Sequence, residues 1–564
     1  MATPRAWLDK LTFSDGTTLA LDKSDIVLLV GPNNAGKSAA LRAVRDKLNQ
    51  PSNTSPVVSS LSVAREGAPE DLLGWIGSFA RQHESSPTDP IFQAFGIGIH
   101  ISQAKNLWQG GGQSLGGLSR FFCHLVTADE RLQAANPAQN IAIVREAPTN
   151  PIHYLLRDDG LELKLSGQFK KAFGVDLVVH RNAGSQIPLH TGQRPVPGHG
   201  QDRVSIEYIK QIEMLPPLQT QGDGMRSFAG VLLYTSVGRE SILLIDEPEA
   251  FLHPPQARQL GRMLVADKPV DRQLFVATHS GDILRGVLDA QSKNVRVVRI
   301  RRQGSVNVVR QLDNVKIAEL WNDPLLRYSN ILDGMFHEKV VISESDSDAR
   351  FYAAMFDAVI EAKGPETRWP DIMFTHCGGK DRLAVVIRAL REVDVPVIAV
   401  ADLDVLSNER PLRDIIEATG GNWDSVQPDW SQVKAAIDSK KPELSASEVA
   451  RDIQEIVGQV KDPIFPDSAK KAIQKIFRRS TPWATAKEVG KAFVPPGQPT
   501  QAYERLIGTL KQHGIYIVEV GELESFARSV GNHGPRWVNE VLKKNLKTET
   551  ELEHARRFVT GFMN

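Results

Sequence analysis

The chain has 564 residues, 41% hydrophobic and 24% charged, the balance of a globular protein with sizeable cores. No stretch reaches the ~20 apolar residues that span a bilayer. The start, MATPRAWLDKLTF, shows no basic segment followed by an apolar run, so neither a membrane span nor a signal peptide is expected. At roughly 150 residues per domain, three or four folding units are expected. Basic and acidic side chains number 67 each, so net charge is zero and any nucleic-acid claim must rest on a local site. The two cysteines, Cys123 and Cys377, are too few for a disulfide framework or a thiolate metal cage and fit a reducing cytosol.

In chain order, a β-rich start ends in a buried strand, DIVLLV (Asp25 to Val30), that runs into a glycine loop, GPNNAGKS. A helical pattern follows from Ala39 to about Leu48. Strand, loop and helix together match G-x-x-x-x-G-K-[ST], in which backbone N–H groups and a helix N-terminus cradle phosphate oxygens. This assigns Asn33, Asn34, Gly36, Lys37 and Ser38 to nucleotide contact, with Lys37 on the β- and γ-phosphates and Ser38 on Mg²⁺. Residues 51–220 give a diffuse signal and are expected to form inserted lobes for dimerisation or other partners. Regular α/β patterning returns at 241–300. The run ILLIDE ends in Asp246, placed to hold Mg²⁺ through water, and Glu247, placed as general base for the attacking water. The strand QLFVATH ends in His279, where a γ-phosphate sensor would stand. A hairpin is expected over 295–312.

A second α/β unit starts near 336, with strands EKVVIS, DIMFTH and PVIAVAD separated by helices, the alternation of a parallel sheet. Residues 421–510 read as a charged helical insertion before a last strand, GIYIVEV. Strand ends are acidic: Glu344, with Asp348 four residues on; Asp402 and Asp404, which strand alternation would turn to one side; and Glu522 with Glu524. Chemistry gathers at the carboxyl ends of parallel strands. Carboxylates that converge there repel unless a cation lies between them, and an all-oxygen set favours Mg²⁺ or Mn²⁺. Two such ions can activate water and stabilise the leaving oxygen of a phosphodiester. The basic stretches 468–480 and 543–557 are candidates for tracking a DNA backbone.

The combination GPNNAGKS, LLIDEPEAFLHP and FVATHS resembles the ABC-type ATPases of the SMC/RecF class. The resemblance implies two ATPase domains sandwiching two ATPs, with a signature loop from one subunit on the nucleotide of the other. The usual LSGGQ is absent. The segment QGDGMRS (Gln221 to Ser227) resembles a degenerate signature, with Gly222, Gly224 and Ser227 as donors in trans and Arg226 adding charge. The second unit resembles a TOPRIM domain, with a glutamate after the first strand and DxD after the third. An ATPase followed by TOPRIM resembles the OLD (overcoming lysogenization defect) family and the nuclease of the Gabija anti-phage system.

That resemblance implies an α/β chain: an ABC-type P-loop ATPase domain over 1–330, with inserted lobes at about 51–220, then a TOPRIM nuclease domain over 335–564, with a helical insertion at about 421–510. It implies ATP and Mg²⁺ or Mn²⁺ as cofactors and Asp348 as a further metal ligand. One or both of Glu522 and Glu524 join the metal site. Lys543 and Lys544 are candidates for a late basic residue near the scissile phosphate, and Lys380 in HCGGKDR for a phosphate contact. The expected activity is ATP-dependent cleavage of DNA by a cytoplasmic homodimer or higher homo-oligomer, in anti-phage defence or DNA processing, with an accessory defence protein as a possible partner. The alternative is an ATPase sensor whose TOPRIM unit binds or regulates without cutting.

Overall fold

The computed structural model describes residues 3–83, 89–94, 97–237, 239–304, 306–312, 314–324, 330–440, 446–460, 463–478 and 482–563. They fall into two compact units, Met1–Arg327 and Tyr328–Asn564.

The first unit is organised by a six-stranded sheet. Its elements in chain order are β1 (Ile26–Val30), α1 (Lys37–Asn49), β2 (Cys123–Val126), α2 (Ala128–Ala134), α3 (Asp223–Val237), β3 (Ile242–Asp246), β4 (Gln273–Ala277), β5 (Val295–Gln303) and β6 (Val306–Gln311). Strand order is β6-β5-β1-β4-β3-β2, parallel throughout except for the β5–β6 hairpin. Every residue of β1 and β4 is buried, as expected of parallel strands covered on both faces. The register aligns Asp246 with Ala277, and Ala277 with Leu29, so the carboxyl ends of β1, β3 and β4 share one edge.

An antiparallel three-stranded sheet built around Arg5–Phe13 packs on this layer. Buried Gln273 joins the two sheets. Its Oε1 accepts from the Leu8 N–H at 3.0 Å and its Nε2 donates to the Leu8 carbonyl at 2.8 Å, satisfying a strand backbone that would otherwise be buried unpaired. Within 51–220 the chain forms short strands and helices of its own. One is Asp159–Phe173, whose buried Glu162 is ion-paired to Arg181 and Arg194.

The second unit contains a fully parallel sheet of β7 (Lys339–Ser343), β8 (Ile372–His376), β9 (Val397–Asp402) and β10 (Ile515–Val518), in the order β8-β7-β9-β10. Helix α4 (Asp346–Ala362) packs Phe351, Tyr352, Met355 and Phe356 into a core with Trp537 and Phe562. Between β9 and β10 the described chain is helical, and its fifth helix beyond Ser407, α5 (Pro482–Val489), returns to the sheet edge. The last strand ends earlier than its apolar run suggests. After β10, the Gly521 N–H turns back onto the Val518 carbonyl at 2.9 Å. After Asp402, the chain enters a 3₁₀ turn, Leu403–Ser407. No helix among the described residues is long and apolar enough to cross a membrane.

Candidate active sites

At the carboxyl edge of the first sheet, the loop after β1 turns tightly because glycine permits it. A Cβ on Gly31 (φ +142°) would lie 2.0 Å from the Ile300 carbonyl oxygen, and one on Gly36 (φ +96°) 2.9 Å from Asn307 Nδ2. Asn307, on β6, donates to the Ala35 carbonyl at 2.6 Å and fixes the loop from outside. Lys37 is buried, its ammonium donating to the Gly31 and Pro32 carbonyls at 2.8 and 2.9 Å. Asn33 and Asn34 are exposed, Asn34 in the left-handed region (φ +60°). Ser38 Oγ donates to Asp246 Oδ1 at 2.8 Å, bringing together the two side chains assigned to Mg²⁺. Burial, then Glu247, raises Asp246 above the usual carboxylate range, so a cation at this edge is electrostatically favoured.

Glu247 has φ +49°, a costly conformation for a residue with a side chain. Three bonds to its backbone hold it there: its N–H donates to the Ala277 carbonyl at 2.8 Å, and its carbonyl accepts from Arg131 at 2.9 Å and from the Ala250 N–H at 3.0 Å. Its carboxylate lies 3.4 Å from His279 Nδ1, so the expected base and the expected sensor are neighbours.

Two further residues of this site escaped the sequence reading. Glu249, the third acid of DEPE, is buried. It accepts from Thr278 Oγ1 at 2.7 Å and the His279 N–H at 2.9 Å, and so positions the histidine. Arg131, on α2, is fully buried and spans Ser227 Oγ (3.1 Å), the Asp246 carbonyl (2.6 Å) and the Glu247 carbonyl. Glycine makes that approach possible, because a Cβ on Gly230 of α3 would meet the Arg131 carbonyl at 2.3 Å. Glu249 was readable as a third acid in a dense motif. Arg131 carried no signal in a diffuse region.

The signature candidate occupies the start of α3. Gly222 is exposed, and a Cβ on Gly224 would meet the Phe251 carbonyl at 2.8 Å. Ser227 differs from expectation. Its side chain is fully buried and taken by Arg131, because one helical turn carries it inward from the exposed tip, so its hydroxyl does not face outward to a second nucleotide. Arg226 pairs with Asp223 at 2.8 Å.

In the second unit, Glu344, Asp402 and Asp404 each offer a carboxylate oxygen within 4.8 Å of the other two. The 3₁₀ turn after Asp402, not strand alternation, brings Asp404 in. Asp348 closes a capping box at the start of α4, accepting from the Ser345 N–H at 2.8 Å. Burial, then the charge of Asp404, raises Glu344, and burial raises Asp348. Burial pushes Asp402 up to about 8, with Glu344 and Asp348 adding to the shift and Lys487 opposing it. Asp404 Oδ1 is buried without a hydrogen-bond partner among the described residues. Its nearest cation is the Lys487 ammonium at 3.8 Å, beyond hydrogen-bond reach, so the oxygen keeps capacity for a closer ligand bond. An all-oxygen trio with one orphaned oxygen fits a hard divalent cation.

Glu522 and Glu524 form a second group, joined by His533, which the sequence reading did not include. Glu524 Oε1 accepts from the Gly534 N–H at 2.6 Å and lies 3.6 Å from His533 Nδ1. Glu522 and Glu524 thus share their group with an imidazole, where oxygen ligands alone were expected.

Two lysines stand against the aspartates. Lys380 donates to Asp404 Oδ2 at 3.1 Å. Lys487, on α5, lies 2.8 Å from Asp402 Oδ2 and 3.8 Å from Asp404 Oδ1, a placement no local pattern announced. The late candidates pair elsewhere, Lys543 with Glu540 at 2.8 Å and Lys544 with Glu551 at 3.3 Å. Part of the basic stretch 468–480 lies outside the described residues.

Comparison with known proteins gives two family matches. Residues 210–285 match "AAA domain, putative AbiEii toxin, Type IV TA system", and residues 335–404 match "Overcoming lysogenization defect protein-like, TOPRIM domain". The chain is 24% identical over 174 residues to the Old nuclease of Escherichia phage P2, a match spanning 30% of this chain and 28% of that protein. It is 32% identical over 101 residues to Uncharacterized protein MJECL11 of Methanocaldococcus jannaschii, covering 17% of this chain and 89% of that one. Among solved structures, an SMC head bound to the C-winged helix domain of ScpA aligns with 56% of this chain and 99% of its own, at 12% identity and TM-score 0.34. With an ABC-type phosphate-loop unit first and a TOPRIM unit after it, the chain is an ATPase–TOPRIM protein of the OLD (overcoming lysogenization defect) family.

Proposed function

We propose that this protein is an ATP-hydrolysing, divalent-metal-dependent DNA endonuclease, acting in the cytoplasm as a homodimer or higher homo-oligomer in anti-phage defence or DNA processing. The observation that carries the reading is the convergence of Glu344, Asp402 and Asp404 within 4.8 Å at parallel strand ends, with an orphaned oxygen on Asp404. In this reading the ATPase domain spans about 1–330 and the nuclease domain 335–564, and an accessory defence protein is a possible partner.

In the nucleotide site, Lys37 and the loop N–H groups would bind the phosphates, Ser38 and Asp246 would hold Mg²⁺, and Glu247 would take the proton of the attacking water while His279 would orient the γ-phosphate. Glu249 and Arg131 keep those groups in register. In the second site, Glu344, Asp402 and Asp404, with Asp348, Glu522 and Glu524 alongside, would hold Mg²⁺ or Mn²⁺. When bound, the ion supplies Lewis acidity and an activated water. Lys380 is positioned at the same cluster to meet phosphate charge. The lysines against the two aspartates are equally what a non-cleaving, regulatory TOPRIM unit would retain, so cutting itself decides between the readings.

The test is purified protein with supercoiled plasmid, with Mg²⁺ or Mn²⁺, with and without ATP. Nicked or linear product that vanishes with a chelator is expected. Intact plasmid under every metal and nucleotide condition would leave the regulatory reading in its place. Lys37→Ala is expected to weaken ATP binding about a hundredfold, close to 2.7 kcal/mol, in a fluorescent-nucleotide titration, with metal uptake by the second unit unchanged.

A further inference from the structure

The lysine on α5 reaches the carboxylate trio from a segment that contributes none of the acids. Its ammonium sits 2.8 Å from Asp402 Oδ2 and 3.8 Å from Asp404 Oδ1, and so faces both aspartates of the trio. The helix that carries it is fixed in place. A Cβ on Gly521 (φ +112°) would fall 2.0 Å from the Lys487 carbonyl oxygen, and one on Gly490 (φ +79°) 2.6 Å from the Glu519 and Val520 carbonyls, so two glycines permit backbone-to-backbone contact. The Lys491 N–H donates to the Glu519 carbonyl at 2.8 Å, and Arg528 donates to the Glu488 carbonyl at 2.9 Å. The end of α5 is thus bonded to the turn that leads into Glu522. Lys380 differs in reach, since its ion pair is with Asp404 Oδ2.

From this geometry we infer that Lys487 is a built-in competitor for the divalent ion: its ammonium fills the cation position at Asp402 and Asp404 and must be displaced before a metal occupies the trio. The inference rests on the metal-binding reading of the trio. Three carboxylates with oxygens within 4.8 Å of one another repel and call for a counter-charge. A tethered ammonium supplies one at high effective concentration, whatever the free metal level. A divalent ion offers more charge and more ligand bonds, so it wins only above a threshold concentration that Lys487 sets. Lys487 is therefore a positioning residue that tunes metal affinity from within the helical segment. An all-oxygen trio without it would bind metal more tightly and more permanently.

The test is isothermal calorimetry of Mn²⁺ binding to the full-length protein, without DNA or nucleotide, so that the readout is occupancy rather than cutting. Lys487→Met is expected to bind Mn²⁺ at least tenfold more tightly than wild type. Lys487→Gln should behave the same way and guards against a misfolded methionine variant, with melting curves as the folding check. Lys487→Arg, which keeps a tethered cation, should return affinity toward wild type. Lys380→Met should gain less than threefold. Equal gains from Lys380→Met and Lys487→Met would mean that only general charge is sensed, and would overturn the inference, as would unchanged or weaker binding in both Lys487→Met and Lys487→Gln. If instead wild type and Asp402→Asn take up Mn²⁺ alike, the metal reading of the trio has failed rather than the role of Lys487.

Discussion

Replacing Asp402 with alanine is expected to lower DNA cleavage by ~10³-fold or more while ATP hydrolysis continues at the wild-type rate. Asp402 ends β9, is one of three acids within 4.8 Å, and carries the oxygen nearest Lys487. Losing it removes one ligand of three and the carboxylate against which Lys487 is anchored. Lewis-acid stabilisation by a bound ion is worth several kcal/mol, and ~4 kcal/mol corresponds to about a thousandfold in rate. The nucleotide site lies in the other compact unit, with its own Ser38, Asp246 and Glu247. The measurements are plasmid nicking and phosphate release on the same preparation, with Asp402→Asn as a variant of nearly equal volume. Cutting that survives in both variants would place the chemistry at another group of residues.

The two halves differed in how much their sequence disclosed, and the reason is physical. The phosphate loop was legible because its function constrains consecutive residues. In such a loop the backbone itself forms the binding surface, and glycine is required here where Ile300 and Asn307 approach Gly31 and Gly36. ILLID and QLFVA were legible because strands buried on both faces have no polar side. The acids at the strand ends could be read as a set, but not their sorting. Whether Glu522 and Glu524 join Glu344 depends on the turn after Val518 and on His533, which lies in a segment without regular periodicity. Lys487 was invisible for a different reason. It is 83 positions beyond Asp404 by sequence number, on a short helix, PWATAKEV, within a segment that reads as a charged helical insertion, and the packing of Gly490 and Gly521 brings it back to the sheet edge.

Arg131 makes the second large prediction. Arg131→Met should destabilise the first unit by ~2–4 kcal/mol, since the buried Ser227 hydroxyl and the part-buried Asp246 carbonyl lose a charged donor, each at about 1–3 kcal/mol, while the Glu247 carbonyl keeps the Ala250 N–H. The measurement is a shift in the denaturant midpoint. The loss is not confined to stability. The guanidinium ties Ser227 on the signature-like helix α3 to the carbonyls of Asp246 and Glu247, and the Glu247 carbonyl bond helps hold that residue at φ +49° with its carboxylate toward His279. Released from Arg131, Glu247 relaxes toward an ordinary backbone conformation and its carboxylate leaves the histidine. ATP hydrolysis in the folded variant should then fall more steeply than ATP affinity, because Lys37, proposed to bind phosphate, is held by the Gly31 and Pro32 carbonyls of its own loop. Arg131→Lys should restore little, because one ammonium cannot reach three acceptors with the fixed spacing of a guanidinium. A variant that loses affinity and turnover in equal proportion would show that Arg131 supports the whole loop rather than the Asp246–Glu247 turn.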